Sequence, residues 1–167
     1  SDDNAGEVFT IVDAAIREQL DRMAHVSFLG FTHPLAIRLA AELCALWPEK
    51  TLTRAFFSDD GSTAMEAALK MAILYRQHTG EPERTRFLAF SNAYHGDTMG
   101  ASSLGGIQTF HGPFAAHHFP VTHVASMDEL EAPQTAEGER IAPEQYAAAV
   151  IEPLIQGAAG MRIWPKG

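Results

Sequence analysis

Three short apolar runs limit what this chain can fold into: Thr53–Ser58 (TRAFFS), Arg86–Phe90 (RFLAF) and Tyr146–Ile151 (YAAAVI). Each has strand length, and each is followed by turn-forming residues: Asp59-Asp60-Gly61-Ser62, Ser91-Asn92 and Glu152-Pro153. Between the first two runs, Met65, Leu69, Ala72 and Ile73 recur at helical spacing up to Gly80, a residue suited to close a helix. Strands alternating with helical stretches predict an α/β architecture around a largely parallel sheet. The unbroken apolar character of Tyr146–Ile151 predicts a strand covered on both faces.

Upstream of residue 53 the pattern is helical alone. Val8, Ile11, Val12, Ala15, Ile16, Leu20 and Met23 share a face between Glu7 and Ala24. A second helix is expected to open at Pro34, which suits a first helical position, and to run through Leu39, Leu43 and Leu46 to Pro48. Residues 26–32 read as a loop or short strand. The stretch up to Pro120 reads as irregular with short helices, and Ser126–Pro143 as a polar surface segment. The last run is followed by a loop but no helix to cover it, so the 167 residues are expected to be a fragment of a larger protein.

Composition removes several classes of partner. A formal charge of −9, with twelve scattered basic residues, argues against nucleic acid, whose phosphates are bound by clustered Lys and Arg. No apolar run reaches the roughly 18 residues that span a bilayer. Ser1–Gly6 is polar and acidic, unlike a signal peptide. The single cysteine, Cys44, excludes an internal disulfide, suits a reducing compartment and is expected to be buried in a helix. Together these point to a cytoplasmic protein that handles small molecules.

Three segments carry chemistry, each after a predicted strand. At Asp60-Gly61-Ser62-Thr63, a turn of small residues opens a helix. Its free N–H groups, the helix dipole and the hydroxyls of Ser62 and Thr63 suit one phosphate monoester; helix capping by Asp60 or Ser62 explains the same residues. No G-x-x-x-x-G-K-[ST] pattern is present. Asn92-Ala93-Tyr94-His95-Gly96-Asp97-Thr98 sets an aromatic ring at the strand ends where α/β sheets bind ligands. Tyr94 there could stack on a flat heteroaromatic ring, or it and His95 could simply pack in a turn with Asp97 as a helix cap. Glu152, before the glycine-rich loop 157–160, either approaches the ligand, anchors neighbouring loops or serves in a structural ion pair.

In this order the segments resemble the class III aminotransferases of the fold-type I pyridoxal phosphate (PLP) enzymes. The resemblance covers about residue 15 to the end. Gly30-Phe31-Thr32-His33, Phe57–Ala72, Ala93–Gly100 and Pro153–Arg162 look most like the branch acting on 8-amino-7-oxononanoate in biotin synthesis. The resemblance implies an N-terminal helical segment (1–50) and the first part of the large PLP-binding domain (51–167). It implies transfer of an amino group from S-adenosylmethionine to 8-amino-7-oxononanoate, giving 7,8-diaminononanoate, in a homodimer. Carried over by position, Gly61, Ser62 and Thr63 would bind the cofactor phosphate, and Tyr94 would flank the ring and touch substrate. His95 and Glu152 would lie near the cofactor.

The sequence departs from that pattern in one respect. The Schiff-base lysine and the aspartate that pairs with the pyridine nitrogen belong to later strands, so no catalytic residue is expected here and the chain alone should not turn over. Other readings stay open: a different class III transaminase for ω-amino acids or diamines, a non-catalytic phosphate-binding α/β domain, or a metal hydrolase using His95, Asp97, His117 and His118.

Overall fold

A computed structural model of the chain describes residues 3–47, 51–131, 133–134, 138 and 140–164. They form two compact units, Ser1–Ala55 and Phe56–Gly167.

The first unit contains two helices, α1 (Asp3–Arg22) and α2 (Pro34–Ala45). Pro34 opens α2 as the sequence predicts. The cap is His33, whose ring nitrogen accepts a 3.4 Å bond from the Ala36 N–H while its ring stacks on Phe28 at 5.5 Å. The helix stops at Ala45, and Pro48 lies outside the described residues. Cys44 is partly exposed rather than buried, because α2 buries only Ala36.

The second unit is built on a three-stranded parallel sheet with the order β2-β1-β3: β1 is Arg86–Phe90, β2 Val121–Val124 and β3 Tyr146–Val150. Side chains of β1 alternate between two faces, as a pleated strand requires. Leu88 and Phe90 pack with Val124, Ile141 and Tyr146 on one face, against Trp164. Phe87 and Ala89 meet Leu69 and Leu104 on the other, with Met65, Ala72 and Ile73 alongside. The stripe Met65-Leu69-Ala72-Ile73 is thus the face that helix α3 (Gly61–His78) lays on the sheet.

Both ends of α3 are fixed locally. Asp60 and Thr63 form a reciprocal capping box at its start. At its end Gly80 takes φ +81°, and the Glu81 N–H closes onto the Arg76 carbonyl at 2.8 Å. This turn brings Glu81 between Arg76 (2.7 Å) and Arg84 (3.1 Å), whose Nε atoms donate to the β3 carbonyls of Ala147 and Tyr146.

Between β1 and β2 lie α4 (Met99–Leu104), α5 (Gln108–His111) and a 3-10 turn, Gly112–His117, matching the expected short helices. After β3, the glycine-rich loop is spanned by a small antiparallel pair, β4 (Ile155–Gln156) and β5 (Arg162–Ile163). No helix among the described residues is long and apolar enough to cross a membrane.

Two expectations are corrected. Thr53–Ser58 is irregular rather than a strand. β3 is covered on both faces only at its start, where Tyr146 enters one cluster and Ala147 the other, while Ala149 is exposed. Of the surface segment 126–143, Ile141 and Pro133 are buried, and residues 132, 135–137 and 139 lie outside the described residues.

Candidate active site

The first turn of α3 and the loop after β1 meet at the carboxyl end of the sheet. Gly61, Ser62, Met65, Tyr94, His95 and Gly96 line a cleft there of about 480 Å³. Asp60 answers two donors of the helix start, since the Thr63 N–H reaches its carboxylate at 2.8 Å and the Ala64 N–H its carbonyl at 3.0 Å. The Gly61 and Ser62 N–H groups have no acceptor among the described residues. They point the positive end of α3 into the cleft beside the Ser62 hydroxyl.

Thr63 differs from its neighbour. Its hydroxyl is engaged in the capping box, donating to the Asp60 carbonyl at 3.0 Å and accepting from the Asp60 N–H at 3.1 Å. The capping explanation therefore holds for Asp60, with Thr63 completing the box, while Gly61 and Ser62 line the cleft.

Gly96 closes the other wall. At φ +128° it holds a conformation that side chains rarely adopt, and a Cβ there would come within 2.9 Å of Ser62 Cα. This closeness lets the Asp97 N–H donate to Ser62 Oγ at 3.0 Å. That bond uses the oxygen as acceptor and leaves its proton free for a ligand.

Tyr94 is held from three sides. Its hydroxyl donates to Asp97 Oδ2 at 2.6 Å, and its N–H donates to Glu152 Oε1 at 3.0 Å. Its ring stacks on His111 at 5.9 Å and meets Phe110 edge-on at 6.1 Å. The bond to Asp97, reinforced by partial burial and the aspartate charge, holds the Tyr94 hydroxyl above its ordinary pKa, so it stays protonated near neutral pH.

Glu152 is an anchor by geometry. Its second oxygen accepts from the Gly157 N–H at 2.9 Å, and its carbonyl accepts from the Trp164 indole at 2.8 Å. One carboxylate thus ties the Tyr94 loop to the glycine-rich loop. Buried Gln156 adds a 2.9 Å bond to the Ser91 carbonyl. His95 stands beside the cleft with Nε2 buried and unpaired among the described residues; burial outweighs the Glu152 charge and lowers its pKa.

The metal-hydrolase donors do not converge. The Asp97 carboxylate accepts from the Tyr94 hydroxyl, and His118 is taken by Ser102 Oγ at 2.9 Å. Among the described residues no three His, Cys, Asp or Glu side chains are grouped to hold a metal. Of the three lysines, Lys70 is exposed on α3, and Lys50 and Lys166 lie outside the described residues.

Sequence reading missed two residues. Glu66 accepts from Thr98, Gly100 and Ala101 at the start of α4, and buried His111 backs Tyr94. The trace of Glu66 in the sequence is a carboxylate beside Met65 on a face otherwise given to the core.

The site sets a helix N-terminus and an aromatic ring together at the strand ends of an α/β unit, and residues 4–167 match the family model for class III aminotransferases; the chain belongs to that family. The adenosylmethionine-8-amino-7-oxononanoate aminotransferase of Nitratidesulfovibrio vulgaris is 46% identical over 93% of this chain. The protein of that name from Synechococcus elongatus is 46% identical over 89%. The chain spans 32% and 37% of their lengths, about a third. Among solved structures, the adenosylmethionine-8-amino-7-oxononanoate aminotransferase of Methanocaldococcus jannaschii superposes with a TM-score of 0.79 at 34% identity, over 93% of this chain and 36% of that one. A PLP-bound amine transaminase from an uncultivated Pseudomonas species gives 0.72 at 31% identity, over 92% and 38%.

Proposed function

We propose that the protein carrying this segment is a PLP-dependent aminotransferase of biotin synthesis. It moves an amino group from S-adenosylmethionine to 8-amino-7-oxononanoate, yielding 7,8-diaminononanoate. The observation that carries this reading is the 39–46% identity, over about nine-tenths of the chain, to four relatives bearing the name of that enzyme. A cytoplasmic homodimer suits the reading, as do small-molecule partners and the absence of a membrane-crossing helix among the described residues.

The site residues fit the cofactor. Gly61 N–H, Ser62 N–H and the Ser62 hydroxyl would hold its phosphate at the positive end of α3, and the close wall at Gly96 leaves room for it. Tyr94 would lie along the ring, oriented by Asp97 and His111, with its protonated hydroxyl towards substrate. Glu152 would keep the two loops together around the cofactor, and His95, neutral near pH 7, would add no charge. Thr63 supports the site through the cap. When bound, PLP supplies the electron sink on which amino transfer depends. The segment alone, with no lysine among the described residues that line the cleft, is expected not to turn over.

The test is a PLP titration of the full-length protein followed by absorbance. Ser62→Ala should weaken binding by about 1.5–3 kcal/mol, the usual worth of a hydrogen bond to a charged group. Formation of 7,8-diaminononanoate with S-adenosylmethionine as donor tests the substrates. Turnover of simple amines alone would favour the second reading, an amine transaminase, which the Pseudomonas structure supports.

A further inference from the structure

We infer that Glu66 is a positioning residue for the cofactor cleft, acting through the loop that carries Tyr94 and Asp97; the inference rests on the PLP reading. Glu66 lies one turn along α3 from Ser62, so both face the same way. One oxygen, Glu66 Oε1, accepts from Thr98 Oγ1 at 2.6 Å, the Gly100 N–H at 2.8 Å and the Ala101 N–H at 3.2 Å.

These donors are the entry to α4. Thr98 is its N-cap residue yet makes no side-chain cap bond within its own helix. The carboxylate on α3 performs that task from outside. A Cβ on Gly100 would collide with the same carboxylate, so the two elements are in direct apposition.

The residue before Thr98 is Asp97, which joins the cleft at two atoms. Its N–H donates to Ser62 Oγ at 3.0 Å, and its carboxylate holds the Tyr94 hydroxyl at 2.6 Å. The loop is therefore stitched to α3 at two points one turn apart, Ser62 and Glu66. Removing the second leaves Ser62 as the one point at which Asp97 is tied to α3. Both the phosphate-facing hydroxyl and the Tyr94 ring then lose a fixed reference. Glu66 touches neither cofactor nor substrate in this arrangement.

PLP titration of the full-length protein, with Glu66 and Ser62 substituted singly and together, tests the inference. Glu66→Ala should weaken PLP binding roughly ten-fold, equivalent to about 1.4 kcal/mol. Glu66→Gln retains an acceptor oxygen and should bind PLP nearly as the parent does. Because both residues act through Asp97, the loss in the double variant should be smaller than the product of the single losses. A purely structural role would lower the urea midpoint without this coupling. Unchanged PLP affinity in Glu66→Ala, or fully multiplicative losses, would overturn the inference while the PLP reading stands. If Glu66→Ala does not fold, Thr98→Val removes only the shortest of the three bonds. A weaker loss in the same direction supports the inference, and no loss overturns it. Failure of the unsubstituted protein to bind PLP would overturn the functional reading and this inference together.

Discussion

The two units use apolar residues of the same kind to different ends. In Ser1–Ala55, α1 keeps its helical period, but Val8, Phe9, Ile11, Val12, Ile16 and Leu20 are all about half exposed or more, and among the described residues Ala36 is the only buried hydrophobic one. In Phe56–Gly167, four residues of β1, Phe87 to Phe90, organise two clusters, and Ala89, Leu104, Val124 and Phe90 are almost fully enclosed. Periodicity fixes the type of secondary structure in both. Burial follows only where a second element supplies the opposite wall, as α3 does for β1.

The sharpest way to break this comparison is Phe90→Ala. Emptying a buried aromatic site should cost about 3–5 kcal/mol of the second unit's stability, read as a lower urea midpoint. A loss below about 1 kcal/mol would mean that the clusters are not its core. A smaller effect should come from pH. Burial lowers the pKa of His95, His111 and His123, so each is neutral when folded and more readily protonated when unfolded. The unfolded chain then takes up more protons as pH falls through the ordinary imidazole value near 6.5, and stability declines from pH 7.5 to 5.5. A midpoint that does not move over that interval would contradict the burial of these rings. The smallest effect is expected at Ile11→Ser, where the side chain is 62% exposed. A change within about 0.5 kcal/mol is the prediction, and a larger one would show that α1 packs against something.

Much of the second unit was legible in the sequence because its signals are local. Gly80 and the stripe from Met65 to Ile73 announce α3, and RFLAF announces β1 to the residue. Residues 53–58 have the composition of a strand too, yet they are irregular, because a strand is a relation between segments that composition alone does not record. The alanines of β3 misled for a similar reason, since small apolar side chains suit a covered strand and an edge equally well. At the cleft, Tyr94 and Glu152 stood out by their places after strands, and Gly61 and Ser62 by the small-residue turn that opens α3. Glu66 and His111 act on residues 32 and 17 positions away, and no spacing rule reaches that far.

The two glycines that face each other across the cleft differ in heritability. Every base change in a glycine codon that alters the residue adds a Cβ. At Gly61 that atom would meet nothing within 4 Å, so small replacements there are accessible to drift. At Gly96 the same atom runs into Ser62 on a backbone already in left-handed space. A saturation library at the two codons should therefore return several residues at 61 and glycine alone at 96, which makes position 96 the more dependable marker of this site in unfamiliar sequences.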